Sequence, residues 1–161
     1  MTMNDTLATA GWLVLRLGMG SLFLNAAWAC GKDRAAFRWT RDMVAVIAPR
    51  HAAPLAAAGV AMMGLGGLSV LLGGYGRIGA ALLALFLAPG TAIHLRSRAV
   101  AGALAARLSP ALPAGLRPTL TELDVSARMA HYSSALKNVA LLTVSLFLVA
   151  VGTGPYSLAP F

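Results

Sequence analysis

Residues 52–73 read AAPLAAAGVAMMGLGGLSVLLG and contain no charged side chain. A helix needs roughly 20 predominantly apolar residues to cross about 30 Å of hydrocarbon, and this stretch meets that requirement. Three further apolar runs lie at residues 7–30, 78–95 and 134–152. Because lipid cannot satisfy backbone polar groups, long apolar runs of this kind cross a bilayer as helices. We therefore predict an all-α protein, an integral membrane bundle of four transmembrane helices forming one membrane domain over residues 1–161.

The overall composition excludes a soluble globular protein. Hydrophobic residues make up 58% of the 161 residues and charged residues only 11%, whereas a soluble domain carries about 25% charged residues. The formal net charge is +8, from 13 Lys and Arg against 5 Asp and Glu. Most of the basic residues lie between the apolar runs, as membrane orientation requires. We therefore expect these residues to interact with the lipid bilayer, and we expect no nucleic-acid partner.

Two basic connectors, at residues 31–51 and 96–129, set the predicted topology. With four spans, both connectors lie on one side of the membrane, and the short turn at 73–77 lies with both termini on the other. Since Lys and Arg accumulate on the cytoplasmic side, we predict cytoplasmic connectors and termini on the opposite side. The turn side holds only Arg77, whereas the connector side, with Lys137 at its edge, holds Lys32, Arg34, Arg38, Arg41, Arg50, Arg96, Arg98, Arg107, Arg117 and Arg128.

The second connector contains an apolar pattern of its own. Val100, Leu104 and Leu108 are spaced four apart and are flanked by arginines. This spacing is typical of a short interfacial helix on an anionic leaflet. Gly102 and two prolines shorten it, so a partly ordered loop remains the other interpretation.

Small residues recur along the second and third spans. In lipid, helices associate through close packing, and small side chains let neighbouring backbones approach each other. We expect this packing to be ordinary bundle packing rather than a dedicated dimer motif. The residues assigned to it are Gly59, Gly66, Gly67, Ala80, Ala84, Ala88 and Ala92.

Arg16 is the one charged residue within the first span. A cation at such a depth costs at least about 2.5 kcal/mol by insertion scales. Two interpretations remain open. Its side chain could extend along the helix to the membrane surface, or it could face the bundle interior and bind an anion, a quinone carbonyl or a helix-end carbonyl.

His94, His131 and Lys137 form a second group of candidates. His94 ends the third span, and the other two lie near the start of the fourth, so antiparallel neighbours would bring them to similar depth. With Tyr132, they could form a quinone or anion site, although each could equally be an ordinary interfacial residue. Cys30 is the only cysteine, so a thiolate metal cage cannot form. We expect no metal, and quinone as the possible cofactor.

Several stretches together resemble the DoxX family of small four-helix bacterial membrane proteins. The resemblance covers nearly the whole chain in order. It implies a four-helix bundle, with Arg16 matching the arginine usual in the first helix and Lys137-Asn138 matching the pair that opens the last. The stretches are LRLGMGSLFL (15–24), GGLSVLLG (66–73), Arg77 with AALLA (80–84), HY (131–132), LKNVALL (136–142) and GTGPYSL (152–158).

The chain departs from the family pattern in three respects. Met63 stands where an acidic residue is common, so an Arg–Glu pair across the first two helices cannot form. The sequence Cys30-Gly31-Lys32 replaces a lysine near the end of the first helix. The segment between the third and fourth helices is also enlarged.

The family's members look like subunits linked to sulfur or thiol oxidation with quinone as acceptor, or like anchors for oxidoreductase partners. From this resemblance we expect an accessory or anchoring component of a larger membrane redox complex, bound to other membrane subunits. Because the spans contain few ionisable residues, we expect it not to be catalytic on its own. The alternatives are a quinone-linked oxidoreductase subunit acting on sulfur or thiol compounds, with Arg16, His94, His131 and Lys137 as its site, and a small-molecule or lipid carrier. The resemblance also implies the bacterial inner membrane, so both termini would be periplasmic.

Overall fold

Helices account for nearly all of the chain that the computed structural model describes, which is residues 3–154, 157 and 158. Short 3-10 turns connect them at Pro49–His51, Ser109–Ala111 and Ala114–Leu116. Residues 155 and 156 of the tail stretch 152–158 lie outside the described residues. Within the described part of the chain the α-helices are α1 (Met3–Lys32), α2 (Arg34–Ala45), α3 (Ala52–Leu72), α4 (Gly76–Leu108) and α5 (Arg117–Val151).

Four of these helices, α1, α3, α4 and α5, are long and apolar enough to cross a membrane. The prediction of an all-α bundle with four membrane-spanning helices is therefore confirmed. The uncharged stretch 52–73 forms α3 almost residue for residue. Gly73 ends α3 in the left-handed conformation, with φ of 68°, which glycine adopts without steric cost.

The helices are arranged in the order α1, α3, α4, α5, each packed on the next, with α2 lying across α1 and α3. The core between them contains Met19 and Phe23 of α1, Val70 of α3, Leu83 of α4 and Leu148 of α5. We call the end of the bundle with the 73–75 turn the turn end. The opposite end, with α2 and the link between α4 and α5, is the connector end.

The helices α4 and α5 continue well past the spans 78–95 and 134–152 that hydropathy indicates. At about 1.5 Å per residue, their 33 and 35 residues are about 50 Å long, against about 30 Å of hydrocarbon. The segment 96–129 is therefore mostly a helical extension, and only a short link, residues 109–116, separates the two helices. Val100, Leu104 and Leu108 lie in the last turns of α4 and are exposed there. They form neither a separate interfacial helix nor a loop.

The first connector, residues 31–51, contains α2, a helix that hydropathy does not reveal. Asp33 begins it as an N-cap, because its Oδ1 accepts a hydrogen bond of 2.8 Å from the backbone N–H of Ala35, as side chains at this position commonly do. Its arginines are exposed, whereas Thr40 and Val44 face the bundle. The helix is amphipathic, and it closes the connector end over α1 and α3.

Candidate functional site

A cavity of about 240 Å³ lies between the helices toward the connector end. Its walls are mainly apolar, with Phe23 of α1, Met63 of α3 and Leu141 of α5 among them, and α2 covers it. The buried Met63 makes the α3 side of the cavity apolar. A neighbouring apolar cavity of about 160 Å³ shares Phe86 and Ile93 with it.

The cavity opens between α1 and α5. These two helices meet near the turn end, where the rings of Trp12 and Phe147 are stacked with their centres 5.3 Å apart. Toward the connector end, exposed side chains from three helices border the cavity, namely Leu22, Trp39 and Lys137. These exposed side chains form the outer border of the cavity.

Polar side chains from α4 and α5 face this cavity. The Nδ1 atoms of His94 and His131 are 3.3 Å apart, within hydrogen-bond distance, and His94 lines the cavity. Asn138 is buried, and its amide nitrogen lies against Gly90, where an added Cβ would be only 3.1 Å away. Gly90 therefore gives Asn138 room beside α4. Lys137 has no hydrogen bond or ion pair to any described residue.

The structure brings three of the four predicted site residues together. His94 and His131 lie at one level because α4 and α5 run antiparallel from a short link. Lys137 lies about 9 Å further along α5 and lines the same cavity as His94. Tyr132, predicted with them, lies next to this group and stacks under Arg98, whose guanidinium carbon is 4.8 Å from the ring centre.

Arg16 lies at the other end of the bundle and has a different environment. It is 4% exposed, its Nε–H donates to the Val70 carbonyl at 3.3 Å and its Nη2 donates to the Leu71 carbonyl at 3.0 Å. These carbonyls belong to the last turn of α3, where a helix leaves carbonyls without i+4 donors, although the Val70 carbonyl also accepts from the Gly73 N–H at 3.3 Å. A cation there also suits the helix dipole. Of the two interpretations, Arg16 therefore follows the interior one, with helix-end carbonyls as its ligands.

Arg16 and His94 are too far apart to share a small ligand. The α3 residue Ser69 lies against Gly79 of α4, at the level of the carbonyls that Arg16 binds. His94 is 15 residues beyond Gly79 on the same helix, about 22 Å along its axis. One small ligand cannot contact both Arg16 and His94.

The predicted packing residues differ in their surroundings. Gly66 and Gly67 are buried, and Gly59 and Ala84 are half-buried. On α4 Ala80 is fully buried, whereas Ala88 and Ala92 are exposed. The reason is geometric: residues four apart drift by about 40° on a helix of 3.6 residues per turn, so the stripe turns away from the core. The buried face of α4 follows Ala80, Leu83 and Leu87.

Sequence reasoning missed the contribution of α2 and of the end of α1. Thr40 and Met43 of α2 line the cavity beside Cys30, whose sulfur is 3.6 Å from the Thr40 hydroxyl. A signal for α2 exists in the sequence: Asp33 precedes a segment in which Arg34, Arg38 and Arg41 share one helical face. No comparable signal places this helix over the cavity.

The cavity is suited to binding an amphiphile through its head. Lys137 and Asn138 carry N–H donors, and both histidines are ring donors or acceptors. When the Nδ1–H of His131 donates to His94, a neutral His94 carries its own proton on Nε2 and can donate it to a ligand. Within the described residues, no group of three His, Cys, Asp or Glu side chains could hold a metal ion.

Comparison with known proteins adds no relative to this picture. No family model matches the chain, and neither a curated protein nor a solved structure is significantly similar to it. The resemblance to the DoxX family stays a prediction that depends on the short stretches quoted above.

Proposed function

We propose that this integral membrane protein is a quinone-binding accessory subunit of a larger membrane electron-transfer complex. The observation that carries the proposal is the cavity itself, which has Lys137, His94 and Asn138 at its polar side. Exposed side chains of α1, α2 and α5 border it, and we infer that this border faces lipid. A quinone has the matching chemistry, since its carbonyl oxygens accept hydrogen bonds and its tail is soluble only in the bilayer. Pockets of this kind are mostly apolar, with a few polar groups that orient the ligand.

The role of each polar side chain follows from its place. The ammonium group of Lys137, at the opening, donates to the first carbonyl oxygen that enters. Asn138, held against Gly90, and His94, held by His131, donate from the interior. The apolar walls hold the ring, and the tail lies in the adjoining apolar cavity or between α1 and α5. The side chains bind and orient the quinone, and the partner subunits supply its electrons.

The extensions of α4 and α5 are the part of the subunit that a partner would contact. They project about 20 Å beyond a 30 Å hydrocarbon layer by helical rise, and they expose Leu104, Leu123 and Met129 there. Exposed apolar side chains outside the bilayer favour a protein partner. The resemblance to the DoxX family suggests that the complex oxidises sulfur or thiol compounds.

Quinone binding depends on Lys137 in this proposal. Lys137→Gln removes a charge-assisted hydrogen bond, worth about 1.5–3 kcal/mol, so we expect the Kd for a short-tailed benzoquinone to rise at least tenfold. Trp39 borders the cavity, and quenching of tryptophan fluorescence in detergent measures the Kd. Lys32→Gln is the matched control because Lys32 does not line this cavity.

Two outcomes would contradict the proposal. Wild-type protein that neither binds the benzoquinone nor co-purifies with quinone rules it out. Equal effects of Lys137→Gln and Lys32→Gln would show that the charge acts at long range and that the cavity is not the site.

We further propose that the protein lies in a bacterial inner membrane with its connector end in the cytoplasm, because the basic residues are concentrated there. In a Cys30→Ala background, a membrane-impermeant maleimide added to intact spheroplasts should label Tyr75→Cys at the turn end. It should label Arg41→Cys and Arg107→Cys only after the membrane is opened. Labelling of either connector-end cysteine in intact spheroplasts would reverse the orientation.

A further inference from the structure

A groove on the outer side of α4 and α5 is separate from the quinone cavity and carries two arginines. It has a volume of about 480 Å³ and is lined by Arg98 and Arg128, with a floor of Leu95, Ala99 and Ala103. The two guanidinium groups come from different helices and border the same space. We propose that this groove binds the phosphodiester group of an anionic phospholipid.

The two arginines are held in place by contacts between the helices. Arg98 of α4 stacks on the ring of Tyr132 of α5. Arg128 of α5 lies across Gly102 of α4, where an added Cβ would be 3.5 Å from its Cδ. Each arginine thus rests on the opposite helix, and this reduces the side-chain freedom lost when an anion binds.

The charge of the groove suits one phosphodiester. One carboxylate pairs with this charge: the Oδ2 of Asp124 is 3.6 Å from Nη1 of Arg128, whose side chain remains 45% exposed. Arg98 has no ion pair with any residue that the structure describes. Two guanidinium groups against one carboxylate leave a net charge of +1. Guanidinium groups bind phosphate oxygens in paired hydrogen bonds.

The depth of the groove favours a lipid as the source of the phosphate. Arg98 is 22 residues beyond Gly76, the first residue of α4, about 33 Å along the helix. This distance slightly exceeds the hydrocarbon thickness of about 30 Å, so the guanidinium groups lie at the level of the headgroups. Basic pockets between membrane helices at this level bind anionic lipid headgroups. The apolar floor then faces the start of the acyl chains. This site does not depend on the proposed quinone function.

The test is native mass spectrometry of the full chain in detergent with added phosphatidylglycerol or phosphatidylcholine. We expect wild-type protein to retain phosphatidylglycerol selectively, and Arg98→Gln/Arg128→Gln to retain it about tenfold less. Arg96→Gln/Arg107→Gln is the matched control, because it removes two charges from α4 without touching the groove, and its retention should change less than twofold. Gly102→Leu, which fills the groove without changing its charge, should also lower retention.

Three results would overturn the proposal. Equal retention of the two lipids would show that the groove does not select a net anionic headgroup. An equal loss of phosphatidylglycerol retention in both double arginine variants would indicate only long-range attraction between the basic helices and the anionic lipid. Binding of inorganic phosphate, measured by calorimetry, that matches phosphatidylglycerol in affinity and is lost in Arg98→Gln/Arg128→Gln would assign the groove to a soluble anion. A variant counts only if its melting temperature and gel-filtration profile match those of the wild type.

Discussion

Replacing Arg16 by alanine should lower the free energy of unfolding by about 3 kcal/mol or more, because two charge-assisted hydrogen bonds, each worth about 1.5–3 kcal/mol, are lost together. The carbonyls of Val70 and Leu71 then have no donor from this side chain. Inside the bilayer no water is available to donate to these carbonyls instead. Gly73, whose Cβ position would be 2.8 Å from Nη2 of Arg16, leaves the guanidinium group its space. The variant also empties that space.

Thermal unfolding in detergent measures the effect of Arg16→Ala. A loss of this size corresponds to a melting temperature lower by roughly 10 °C. The matched control is Arg77→Ala, which removes an exposed arginine at the same end of the bundle and should shift it by less than about 2 °C. If the two variants have the same melting temperature, Arg16 does not cap α3. Folded Arg16→Ala should bind the benzoquinone like the wild type, since His94 lies about 22 Å along the bundle from the level of Arg16.

Hydropathy predicts the four spans well because lipid imposes one solution on the backbone. A segment such as 52–73 has no charge and no alternative to an internally bonded helix, and the structure makes it α3, Ala52–Leu72. The same logic fails at the membrane surface. There a helix continues wherever its residues favour helix and a neighbour packs against it. Alanine and arginine, which dominate 96–108, are strong helix formers. The helix α4 therefore continues beyond the apolar span 78–95 without a break.

The candidate site was predictable only in part, for a related reason. His94 ends one apolar span, and His131 and Lys137 lie near the start of the next, so antiparallel packing of the two spans predicts a similar depth for them. The partner of Arg16 lies 54 residues away on a different helix, and no spacing in the sequence relates them. The contribution of α2 is likewise tertiary, since Thr40 reaches the cavity only because its helix lies across the bundle.

Replacing Gly20 by alanine should disrupt the contact between α1 and α3, although it adds a single methyl group. A Cβ at Gly20 would lie 2.8 Å from the Gly67 carbonyl oxygen and 2.8 Å from Cα of Leu71. Both atoms are backbone, so the helices themselves must separate. Overpacking typically costs about 1–3 kcal/mol, and backbone atoms that cannot rotate away place this site at the upper end.

Gly18→Ala is the matched control for Gly20→Ala, on the same helix and two residues away. Its Cβ would meet nothing within 4 Å, and alanine favours a helix over glycine by about 1 kcal/mol. We expect Gly18→Ala to melt at or above the wild-type temperature and Gly20→Ala to melt roughly 10 °C below it. Since the two substitutions change the chain identically, the difference between them measures close packing alone. Equal melting temperatures would mean that α1 does not approach α3 through Gly20.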